Sequence, residues 1–79
     1  MEKYYKIINE IESIRGLKNA FTVDYMKYTD SIFLNFYNMK AFRILDNEDS
    51  KMFDKFKEVI YYNDAEYEFK SYGVVEIYF

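Results

Sequence analysis

The apolar residues of this chain change their spacing, and each change marks a new element. Tyr4, Ile7, Ile8, Ile11 and Ile14 recur at helical intervals and make one apolar stripe. That spacing predicts an amphipathic helix over 2–15. Glu2 near its start and Arg15 near its end suit the helix dipole. Gly16 stands where a helix ends in a left-handed residue, with Leu17 as the closing apolar contact. From Phe21 the period falls to two. Phe21, Val23 and Tyr25 share one side, and Thr22, Asp24, Met26 and Tyr28 the other. Thr29-Asp30-Ser31 reads as a turn. A second strand over 32–37 sets Ile32, Leu34 and Phe36 against Phe33, Asn35 and Tyr37. Asn38-Met39-Lys40 reads as another turn. Residues 41–45 then read as a third strand, with Phe42 and Ile44 opposed to Ala41, Arg43 and Leu45.

Helical spacing returns with Met52, Phe53, Phe56, Val59 and Ile60. Asp46 is the expected N-cap of this second helix, with Asp49 at the capping-box position and Glu48 in the first turn. The helix is expected to stop near Tyr62, before Asn63-Asp64. A hairpin follows. Tyr67 and Phe69 alternate with Glu66, Glu68 and Lys70, Ser71-Tyr72-Gly73 turns the chain, and Val75, Ile77 and Phe79 alternate with Val74, Glu76 and Tyr78. The expected fold is one α+β domain over 1–79. Its order is α-β-β-β-α-β-β, with two helices packed on one face of an antiparallel sheet. The other face then carries Met26, Tyr28, Phe33, Tyr37 and Tyr78 among Thr22, Asp24, Asn35, Arg43, Glu68 and Glu76.

Seventy-nine residues make a small domain, and small domains bury a modest fraction of their surface. There is no Cys to staple this one. Ten Tyr and eight Phe stand in, at roughly 150–250 Å² of buried area per ring. The same aromatic load follows from a coding sequence rich in A and T, since Lys, Asn, Ile and Met are also abundant. The absence of His and Cys removes imidazole bases, Ser-His pairs, thiol nucleophiles and the usual zinc ligands. The carboxylates offer little for acid–base work. Glu10 and Glu12 point apart on a helix, and Asp54 and Glu58 lie among lysines. Asp46-Asn47-Glu48-Asp49 lacks the alternating ligands and central Gly of an EF-hand loop. The expectation is a protein that binds and does not catalyse, with no cofactor and no metal. No apolar run reaches the length of a membrane span, and the first residues do not read as a signal peptide, so a cytoplasmic location without an anchor is expected.

Charge is divided along the chain. Residues 1–45 carry seven basic and five acidic side chains, and residues 46–79 four basic and nine acidic. Asp46, Glu48, Asp49, Asp54, Glu58, Asp64, Glu66, Glu68 and Glu76 therefore form a candidate surface for a basic protein partner, of the kind whose basic surface normally holds nucleic acid. The aromatic sheet face, with Tyr28, Phe33, Tyr37 and Tyr78, is a second candidate contact. In size, charge and lack of an active site the chain is similar to the small inhibitors with which phages and mobile elements block host nucleic-acid enzymes, anti-CRISPR proteins among them. That similarity is one of class and transfers no functional residue. One alternative is a homodimer formed through the sheet face or an edge strand, the last strand near Phe79 being the suggested edge. Another is single-strand nucleic-acid binding on Tyr28, Phe33 and Tyr37, with Lys27, Lys40 and Arg43 around them. A net charge of −3 argues against direct nucleic-acid contact.

Overall fold

A computed structural model describes residues 2–79. The elements are α1 (Glu2–Glu12), β1 (Phe21–Met26), β2 (Ser31–Phe36), α2 (Met39–Leu45), α3 (Lys51–Tyr62), β3 (Glu66–Ser71) and β4 (Val74–Tyr78). The fold is α+β, with three helices and a four-stranded antiparallel sheet in the order β1-β2-β4-β3. The core joins Ile7 and Ile11 of α1, Phe42 and Leu45 of α2 and Phe56 of α3 to Ile32, Leu34, Val75 and Ile77 of the sheet. Strand alternation then puts every second residue on the opposite, uncovered face.

The third strand expected at 41–45 is a helix. Ala41, Phe42 and Leu45 are its buried residues, a one-four spacing that only a helix brings to one side. Asn38 starts it by accepting a hydrogen bond from the Ala41 amide at 3.1 Å. The residues 38–40 expected to turn are thus its cap and first turn. Without a strand there, β2 pairs with β4, and the second hairpin joins the sheet beside the first. The chain crosses from β2 to β3 through α2 and α3, so the last strand lies inside the sheet and not at its edge. The edges are β1 and β3.

The second expected cap also moves. Asp46 closes α2 as its C-cap, its amide donating to the Phe42 carbonyl at 2.8 Å. Ser50 opens α3: its hydroxyl accepts from the Phe53 amide at 3.0 Å and donates to the Ile44 carbonyl at 2.7 Å. One serine therefore caps α3 and ties it to the end of α2. Asp49 and Glu48 lie in the connecting turn, where the Asp49 amide donates to Asn47 Oδ1 at 3.0 Å. The first helix ends at Glu12, short of Arg15, and a run of turns leads to β1. Gly16, at φ +96°, sits inside that run, with Leu17 fully buried after it.

Candidate functional site

The uncovered sheet face is built from three cross-strand rows. The central row runs Asp24, Phe33, Glu76, Glu68 from β1 to β3. Beside it lies Met26, Ser31, Tyr78, Glu66, and on the other side Thr22, Asn35, Val74, Ser71. Phe33 is half-buried in the middle. Asn35 Nδ2 donates to Asp24 at 2.8 Å and fixes that carboxylate. Lys70 Nζ lies 3.6 Å from Glu68 and 3.7 Å from Glu76. The strands therefore set four carboxylates and one ammonium on this face, around an aromatic centre. At the end of the face nearest the β1–β2 turn, Tyr25, Met26, Tyr28, Phe33 and Glu76 line a shallow cavity of about 580 Å³, with Lys27 and Thr29 at its rim.

The turn that presents Tyr28 is tethered from behind. Asp30, at φ +50°, accepts from the Tyr4 hydroxyl and pairs with Lys3 at 2.6 Å. Its backbone carbonyl accepts from the Phe79 amide at 3.1 Å. The Lys3 hydrogen bond, then that of Tyr4, holds the Asp30 carboxyl below its ordinary range. The same contact with Asp30 pushes the Tyr4 phenol up. Burial raises the Tyr25 phenol, whose ring meets those of Tyr4 and Tyr5 edge-on. On α1, the hydrogen bond from Asn63 lowers the Glu10 carboxyl, with Lys6 adding to it. The shifts of Asp30, Tyr4 and Glu10 have their first cause in hydrogen bonds that tie distant segments together. Among the described residues no three His, Cys, Asp or Glu side chains gather to hold a metal ion. Among the described residues no helix is long and apolar enough to cross a membrane.

The residues named from the sequence are distributed unevenly. Tyr28 and Phe33 share the cavity, and Tyr78 lies on the same face. Tyr37 is exposed past the far end of β2, away from them. Of the basic residues expected around a stacking platform, Lys27 borders the cavity that Phe33 lines, while Lys40 and Arg43 are on α2 and are not brought to it. The acidic segment is divided in two. Glu66, Glu68 and Glu76 lie on the open face. Asp54 and Glu58 lie on the outer side of α3, Asp46, Glu48 and Asp49 in the α2–α3 turn, and Asp64 in the turn before β3. Asp24, far away in sequence, joins the first group through its pairing with Phe33. Alternation alone placed Asp24 on the face; only the strand order placed it in a row with Glu76 and Glu68. No protein-family model, curated protein or solved structure matches this chain.

Proposed function

We propose that this chain is a non-catalytic binding module that meets a basic protein surface with its open sheet face. The observation that carries the reading is the central row, in which Phe33 stands between Asp24, Glu76 and Glu68. An aromatic anchor ringed by carboxylates suits a partner that offers an apolar pocket rimmed by Lys and Arg. The ring of charge speeds encounter and selects the partner, while the buried ring supplies affinity. Basic surfaces of that kind commonly hold nucleic acid. In this reading the module is a small inhibitor of a nucleic-acid-handling protein, of the sort phages and mobile elements produce, acting in the host cytoplasm.

The test is affinity capture with tagged protein from host lysate, read by mass spectrometry. Capture is followed by assay of the captured enzyme on its nucleic acid. Phe33→Ser and the pair Glu66→Lys with Glu68→Lys should each lose the partner and the inhibition, with far-UV circular dichroism unchanged. Asp46→Lys with Asp49→Lys, on the helix side, should keep both. Retention of the partner by the sheet-face variants refutes the proposal.

A further inference from the structure

On the side away from the open sheet face, the end of α1, the turns that follow it over 13–16 and α3 border a groove of about 840 Å³. Its floor is apolar: Ile14, Met52, Val59 and the exposed side of Ile44. Gly16 closes one end, where the Met52 methyl lies 2.7 Å from the position a Cβ would take. Along the outer edge run Lys51, Lys55, Glu58 and Tyr62, all exposed. Their spacing of four, three and four residues places them on one stripe of α3, about 16 Å long at 1.5 Å per residue. Lys3, Lys6 and Lys70 are ion-paired within the chain. Among the described residues Lys51, Lys55 and Glu58 have no ion pair, although Lys55 and Glu58 stand three apart on the same helix.

This stripe is complementary to itself. Reversed end to end, Lys55 falls opposite Glu58 and Lys51 opposite Tyr62. Both pairs share one midpoint, between Phe56 and Lys57. A single two-fold axis through that point therefore satisfies all four contacts at once, two Lys–Glu pairs and two ammonium–ring contacts. A two-fold across antiparallel helices also keeps each flank on its own side. The apolar floor at Met52 and Val59 then meets the same floor of the second copy, and Arg15 at one end of the groove is turned toward the end where Glu10 lies. We propose that the protein forms a homodimer through this groove, with α3 packed antiparallel against α3 of a second copy. The surface that covers each groove is the matching groove of the second copy, laid across it with α3 over α3. The dimer turns its two acidic sheet faces outward, which makes it bivalent for any partner that the sheet face binds. It stands independently of the sheet-face reading, since the two surfaces are on opposite layers.

Sedimentation equilibrium over low to several hundred micromolar protein tests this. The wild-type apparent mass should rise toward twice the monomer mass. Lys55→Glu alone and Glu58→Lys alone should each remain monomeric, because each sets like charges opposite one another twice. An equimolar mixture of the two variants should recover the dimer, since every Glu then meets a Lys. The double variant should dimerise by itself. Both positions are exposed, so circular dichroism should show the fold intact throughout. A wild-type mass that stays monomeric overturns the proposal. So does a dimer that survives either single charge reversal, or a mixture that does not re-associate.

Discussion

Leu45 and Ile44 are neighbours in sequence, and their substitution by Ala separates a helix at this position from a strand. In α2, Leu45 is fully buried and Ile44 is 41 % exposed. Leu45→Ala removes buried methyl groups and leaves a cavity beneath α2. Such changes cost about 2–5 kcal/mol, and the complete burial of Leu45 puts it near 3. Ile44→Ala removes groups that are partly in water and border an open groove, so no enclosed cavity forms. Its cost is about 1 kcal/mol. A chain of this size has a total stability of roughly 4–12 kcal/mol, so the first change takes a large share. At about 4–8 °C per kcal/mol, Leu45→Ala should lower Tm by about 12–24 °C and Ile44→Ala by about 4–8 °C. Thermal and urea unfolding followed by far-UV circular dichroism at low micromolar concentration reads both. Were residues 41–45 a strand, Ile44 would share the inner side with Phe42, and Leu45 would face out. The ranking would then invert. An Ile44→Ala loss equal to or larger than that of Leu45→Ala refutes the helical account.

Two further outcomes follow from the caps and the tether. Ser50→Ala should cost about 1 kcal/mol, while Asp46→Ala, at a C-cap, should cost little. Urea midpoints check the ranking, and the opposite order would return the N-cap to Asp46. Asp30→Asn keeps a residue that tolerates positive φ and removes the charge facing Lys3. Because the folded state holds the Asp30 carboxyl below its usual range, its stabilisation is full above the ordinary carboxylate pKa. It is lost as pH falls through the lower folded value. The gap in urea midpoint between wild type and Asp30→Asn should therefore be present at neutral pH and close in acid; a gap independent of pH contradicts the tether.

Much of this is legible in the sequence alone. The stripe from Tyr4 to Ile14, the stop at Asn63-Asp64 and the alternation of Phe21–Tyr25, Ile32–Phe36 and Val75–Ile77 carry their periods openly. Each is long enough, or alternates strictly enough, that one conformation buries its apolar side and the other does not. Ala41 to Leu45 is different. Five residues fit a strand with Phe42 and Ile44 inward, or a helix turn with Ala41, Phe42 and Leu45 inward. Local sequence does not separate the two. Asn38 and Ser50 hold the deciding information, as caps whose hydroxyl or amide oxygen meets an amide three residues on. Asp46 met the same compositional rule and occupies the end of a helix instead.

The candidate surfaces show the same division. The sequence by itself determined which residues share a strand face, because alternation is a local property of an extended backbone. It placed Phe33 with Asn35, and Glu66 with Glu68. It also carried the charge spacing of α3, which needs only a helix to become a stripe. What only the tertiary structure decided was adjacency between segments. The pairing of β2 with β4 puts Glu76 beside Phe33, and the packing of the segment that ends α1 against α3 opens the groove above Met52 and Val59. Strand order depends on which hydrophobic faces can be buried together once α2 is a helix and not a strand. That choice is made by the whole core at once, and no window of the sequence contains it.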